Sequence, residues 1–112
     1  MKFIINKKPL SVNVAYRGRR FSTPELLSYK EFVGWELKGM KKVGGLVEII
    51  YKFYVKYPMK CDVDNMIKPL QDILVKQNVI DDDRNVIKVT AEKIESEKEY
   101  IKVDIKKVKI DE

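Results

Sequence analysis

The chain contains no histidine. That excludes zinc sites built on Cys and His, catalytic triads that turn on an imidazole, and any histidine general base. Its single cysteine, Cys61, excludes an internal disulfide and fits a reducing compartment, as a buried or half-buried structural thiol. No internal repeat or low-complexity linker interrupts the chain. Nor is there an apolar run long enough to cross a bilayer, or a signal-peptide pattern, so the expectation is a cytoplasmic protein with no membrane partner. Whatever chemistry the chain performs must come from carboxylates, lysines, hydroxyls or a bound metal.

What is present is charge. The 112 residues are 45% hydrophobic, which suggests one domain, 1–112, with a real core. The net charge of +6 favours a polyanionic partner, nucleic acid first among them, against the plainer reading of a lysine-rich solubilised surface. The acid is not evenly spread. Residues 61–83 hold six aspartates (Asp62, Asp64, Asp72, Asp81, Asp82, Asp83) against Lys68 and Lys76, so the remainder is more basic than the total implies. An acidic island on a basic body suits a metal cation held where the surrounding surface attracts phosphate.

Periodicity orders the rest. "MKFIIN" reads as a first strand. Residues 7–21 follow as a basic arm in which Arg17, Arg19 and Arg20 lie near Tyr16 and Phe21, a mixture suited to phosphate contact and base stacking and equally to an ordinary basic loop. Residues 21–40 read as a helix with Thr23 as N-cap, Pro24 in the first turn, a core stripe of Leu26, Tyr29, Val33, Leu37 and Met40, and Gly39 at its end. Val47, Ile49, Tyr51, Phe53, Val55 and Tyr57 alternate with polar residues in a long strand stopped by Pro58. Beyond the acidic segment, residues 85–95 and 99–110 read as two strands joined through "SEKE" as an antiparallel hairpin, with the ladder bulged or ended before Val108. The expected architecture is α+β: a single domain with a mixed or antiparallel sheet and two helices on one face.

Asp62 and Asp64 stand two apart between strand and helix. In extended backbone that spacing sends both carboxylates to one side, a hard-oxygen pair for Mg²⁺ or Mn²⁺. Asn65 is placed to cap the helix, and Asn65, Lys68 and Asp72 share a polar helical face beside the pair. Lys68 ahead of Asp72 is the less favourable order for a helix-stabilising ion pair, which leaves Lys68 for a scissile phosphate, with Asp72 orienting it. The triplet Asp81–Asp83 lies at a helix-to-strand turn and reaches Asp62 and Asp64 only if helix and strand run side by side. Each piece has a plain reading: a lone DxD is weak, and "DDD" is usually a solvated loop. An EF-hand is excluded because Ile67 and Ile73 stand where glycine and glutamate are needed.

The combined order is more specific. "DVDN" at 62–65, Lys68, Asp72 and then "DDRNV" at 82–86 resemble the RusA family of Holliday junction resolvases, and "PLSVNVAYRGRRFSTPE" resembles that family's N-terminal section. The resemblance implies a homodimeric, Mg²⁺-dependent endonuclease that binds four-way junction DNA and nicks paired strands symmetrically, in DNA recombination and repair. It implies Asp62, Asp64 and Asp83 as the essential aspartates, Asp82 as a further acid at the metal, and Lys68 as the family lysine. The sequence departs from the family in Cys61, where a basic residue is common, and in Asp81, a third acid beside the usual pair. Cleavage of flaps or other branched DNA, and a non-catalytic nucleic-acid-binding module with a structural acidic cluster, stand as alternatives.

Overall fold

The structure, a computed structural model, describes residues 1–12, 16–17 and 21–109. Its main sheet has four strands, β1 (Lys2–Ile5), β4 (Val47–Val55), β5 (Val86–Glu95) and β6 (Tyr100–Lys107), in the order β1-β6-β4-β5. Two short strands, β2 (Tyr16–Arg17) and β3 (Phe21–Ser22), pair with each other apart from it. The helices are α1 (Pro24–Glu36) and α2 (Ile67–Lys76). The sheet is mixed: β6 runs antiparallel to β1 and to β4, and β5 runs parallel to β4.

Alternation in β4 fixes which face is covered. Val47, Ile49, Tyr51, Phe53 and Val55 are buried, while Glu48, Ile50, Lys52 and Tyr54 are half-buried on the other face. Ile101, Val103 and Ile105 of β6 continue the buried face, against which α1 packs Tyr29 and Val33 and α2 packs Leu70, Ile73 and Leu74. On the open face Tyr54 and Tyr100 stack with ring centroids 4.2 Å apart. Tyr57 does not extend the apolar stripe: β4 ends at Val55, and the Tyr57 side chain is 64% exposed.

Helix α1 starts as its sequence demands, with the Thr23 hydroxyl accepting from Leu26 N at 3.3 Å and Pro24 in the first turn. Such a cap contributes about 1 kcal/mol. The stripe Leu26, Tyr29, Val33 and Leu37 is buried, Met40 is half-buried against the core, and Gly39 takes the positive φ of +79° that ends the turn. No helix among the described residues is long and apolar enough to cross a membrane.

The expected β5–β6 hairpin is not formed. The two strands flank β4 on opposite sides, so residues 96–99 pass over the C-terminal end of β4, tied there by Ser96 N to Val55 O at 2.9 Å and Lys56 N to the Glu99 carboxylate at 3.4 Å. Burial explains the order. The apolar alternation of β6 needs an interior place, whereas β5 is mostly exposed, with Ile87 and Val89 at 54% and 39%, and suits an edge. The ladder of β6 ends at Lys107 where the phase of its apolar residues changes, and Val108 N bonds instead to Leu46 O at 2.9 Å.

Because β4 and β5 are parallel, everything between them is a crossover, and this crossover carries the acidic segment.

Candidate functional site

After β4 the chain turns through a 3-10 turn at Pro58–Lys60. Lys93, from the core-facing side of β5, holds this turn: its Nζ donates to Pro58 O at 2.7 Å and to Cys61 O at 2.8 Å. Asp62 follows, exposed, accepting from Asn65 Nδ2 at 3.4 Å while its carbonyl accepts from Asn65 N at 3.2 Å. Asn65 therefore serves Asp62 instead of capping α2, whose N-terminal flank, Met66, makes no side-chain cap. Pro69 is the third residue of α2, within the first turn, where its missing N–H costs no helical bond.

The backbone between the first two aspartates is not extended. Val63 has φ −60° and ψ −39°, and Asp64 opens a second 3-10 turn, Asp64–Met66, that runs into α2. The two-apart argument for a shared side thus does not apply to Asp62 and Asp64, because in helical backbone such residues diverge. Asp64 instead joins the helical row it precedes, with Lys68 one turn on and then Gln71 and Asp72. Asp64 is exposed; its carbonyl accepts from Ile67 N, and its carboxylate has no hydrogen bond or ion pair among the described residues.

On α2 the Lys68 ammonium sits 3.0 Å from Asp72 Oδ1. Gln71 beside them accepts from the Tyr51 hydroxyl at 2.9 Å and donates through Nε2 to Asp83 Oδ1 at 3.4 Å. A chain of contacts therefore leads from the core strand β4 through α2 to the acidic turn. Burial raises the Tyr51 pKa well above the ordinary phenol value, with Tyr29, Asp83 and Asp72 adding to it, so the hydroxyl stays protonated and donates to Gln71.

The three consecutive aspartates divide their work. Asp82 flanks a short 3-10 turn, Asp83–Asn85, accepting from Arg84 N at 3.1 Å and from the Arg84 guanidinium at 3.4 Å. The Arg84 amide, more than its charge, holds the Asp82 carboxyl below the ordinary value. Asp81 turns the other way, pairing with Lys42 and accepting from Gly45 N at 2.9 Å. The Lys42 hydrogen bond, then that of Gly45, lowers its pKa. Asp81 thus pins the connection between α1 and β4, where Val43 N also bonds to Val79 O at 2.8 Å.

The structure does not gather Asp62, Asp64, Asp82 and Asp83 around one point. Among the described residues no three Cys, Asp or Glu side chains stand close enough together to hold one ion. Helix and strand do run side by side, as the reunion of these residues required. A parallel crossover nevertheless puts the exit of β4 and the entry of β5 at opposite ends of the sheet, about 30 Å apart for nine residues. The return along α2 recovers part of that distance, and it brings Asp83 to Gln71, one helical turn beyond Lys68. In kind the donors suit Mg²⁺, an ion that is bound by one or two carboxylates and keeps several waters. Asp64, exposed and unengaged, is the carboxylate most available for that role, with Asp62 two residues away.

Of the basic arm, Arg17 lies in β2, and Arg19 and Arg20 fall outside the described residues. Sequence reasoning passed over Tyr51, Gln71 and Lys93. A tyrosine on the buried face of a strand needs a partner for its hydroxyl, which was the available signal for the Tyr51–Gln71 contact. Lys93 on an inward position of β5 was the signal for a clamp.

Fold and site together define a basic α+β domain whose βαβ crossover presents exposed aspartates and a lysine at its surface. The chain belongs to the RusA family of endodeoxyribonucleases, whose family model matches residues 7–106. It is similar to the crossover junction endodeoxyribonuclease RusA of Aquifex aeolicus (strain VF5), at 29% identity over 93 residues covering 80% of this chain and 74% of that protein.

Proposed function

We propose that this protein cleaves four-way DNA junctions by paired, symmetric phosphodiester hydrolysis, as a homodimer with Mg²⁺, or Mn²⁺ in its place, as cofactor. The observation that carries the reading is the crossover itself: Asp64 leads into a helix on which Lys68 pairs with Asp72 and the adjacent Gln71 reaches Asp83, inside a chain of the RusA family. The name of the Aquifex relative supplies the junction as substrate. Two equivalent sites on a two-fold dimer match the two cuts a junction requires.

Asp62 and Asp64 are the residues assigned first to the metal, with Asp83 held at Gln71, midway along α2, and Asp82 next to it in sequence. When bound, such an ion lowers the pKa of a bound water and polarises a phosphoryl oxygen. The remaining roles belong to the chain. Lys68 neutralises charge that develops on the phosphate or the leaving oxygen, and Asp72, at 3.0 Å, keeps its ammonium on that face. Gln71, anchored by Tyr51, holds Asp83 toward α2. Arg17, Arg19 and Arg20 are assigned to the DNA backbone, together with Lys68.

The separation of the carboxylates favours one second reading, a junction-binding module whose aspartates are structural, as Asp81 and Asp82 are here. Substrate choice tests both. Junction, flap and plain duplex DNA are offered to the wild type and to Asp64→Asn. Mg²⁺-dependent cutting of the junction above the other two, lost in the variant while binding persists, supports the nuclease. Binding without cutting by the wild type supports the module, and faster cutting of flaps overturns the junction as substrate.

A further inference from the structure

A cleft of about 770 Å³ opens beside the acidic site, between the segment after β1, the start of α1 and the turn that follows β4. Asp62 forms part of its wall, so whatever occupies it lies directly next to the candidate site. Its deep wall is apolar and closed: Val55 and Met66 are 4% and 1% exposed. At the mouth, Tyr57 and Met59 are exposed, Met59 almost completely, and the Lys60 ammonium lies over the Tyr57 ring at 4.8 Å. Tyr29 lines the cleft from α1, and its hydroxyl is buried with no hydrogen-bond partner among the described residues. An unpartnered buried hydroxyl is costly, and native structures rarely keep one without use.

The lining charges are mixed. Lys7, Lys8 and Lys60 line it together with Glu25, Asp62 and Glu99. Lysines alone would argue for a phosphate. Donors and acceptors interleaved around an apolar slot, with an aromatic ring at the mouth, argue for a flat heterocycle with a polar edge. The volume falls within the range of small-molecule sites, which is ample for one base and its sugar. Resting on the junction-cleavage reading, we propose that this cleft is a nucleobase subsite: it takes one unpaired base from the strand beside the scissile phosphate, with Tyr57 stacking on its face and the Tyr29 hydroxyl meeting its edge. A branch point is where such a base is least costly to unstack, because its pairing is already interrupted. Aromatic stacking gives the affinity, and hydrogen bonding at the base edge makes the cut sequence-dependent.

The test uses a four-way junction with 2-aminopurine placed in turn at each nucleotide flanking the branch point, bound in EDTA at saturating protein. In the wild type one position changes its fluorescence several-fold, and Tyr29→Phe and Tyr57→Ala each remove most of that change. In Mg²⁺ the same two variants cut junctions of different sequence at more nearly equal rates than the wild type does. No responding position in the wild type, or an undiminished response in both variants, overturns the subsite. Should Tyr29→Phe fail to fold, Tyr57→Ala decides, since Tyr57 is exposed. A wild type that cuts but shows no fluorescence response defeats the subsite alone, and one that responds but never cuts defeats the nuclease reading alone.

Discussion

Gln71 on α2 donates through Nε2 to the Asp83 carboxylate at 3.4 Å while its Oε1 accepts from the Tyr51 hydroxyl. Asp83 is thereby referred back to the central strand of the sheet, although it sits on an exposed turn. Tyr51→Phe deletes the donor and leaves the ring in place. It is expected to lower stability by about 1 kcal/mol, the usual net worth of one hydrogen bond. Junction cleavage should slow several-fold with little change in junction affinity. Urea unfolding beside single-turnover cleavage checks this; unchanged cleavage would separate Asp83 from the reaction.

Lys68 and Asp72 form an exposed i, i+4 pair at 3.0 Å. Such a pair contributes little to stability, about 0.5 kcal/mol or less. Asp72→Asn should accordingly leave thermal unfolding almost unmoved while reducing cleavage, and Lys68→Ala should reduce cleavage further, on the order of 10²-fold or more for a lost charge stabiliser. Cleavage at saturating Mg²⁺ and junction is the measurement. Equal activity in Lys68→Ala and wild type would remove Lys68 from the mechanism.

Lys93 closes the turn that delivers Asp62 by bonding the carbonyls of Pro58 and Cys61. Lys93→Met keeps the apolar stem and frees both acceptors, with an expected cost of about 1–3 kcal/mol. Exchange of the amides at 58–62 should accelerate in the variant before those of β4 do, as read by hydrogen exchange.

Asp81 and Asp82 have folded-state pKa values below the ordinary 3.8. The unfolded chain therefore binds these protons more readily than the folded one. The stability the two carboxylates contribute is complete above about that value and is lost as pH falls through the depressed folded values. Asp81→Asn should be less stable than the wild type at neutral pH, with a gap that narrows on acidification, and it should retain junction cleavage because Asp81 pins Lys42 and Gly45 and not the reacting groups. Unfolding at two or more pH values is the check.

Much of this was legible in the sequence because it rests on local chemistry. Thr23-Pro24 announces the start of α1, and the alternation through Val55 announces which face of β4 is buried. The order Asp62, Asp64, Lys68, Asp72, Asp82, Asp83 points to the family. The neighbours of β5 were not legible. A four-residue connection after Glu95 fits a hairpin as well as a passage over the end of β4, and only the competition of β5 and β6 for an interior place decides. The parallel crossover follows from that choice, and with it the separation of the two ends of the acidic segment. Likewise, the local fold of Val63 is set by the turn into α2, so a spacing argument based on extended backbone missed it.

The most direct test of the central claim is cleavage of a synthetic mobile four-way junction by the wild-type protein in Mg²⁺, with the cut positions mapped on all four strands. The account predicts nicks at symmetrically related positions on one opposed pair of strands, absent in EDTA and absent with Asp64→Asn. A wild-type protein that binds the junction and leaves every strand intact with Mg²⁺ and with Mn²⁺ would contradict it.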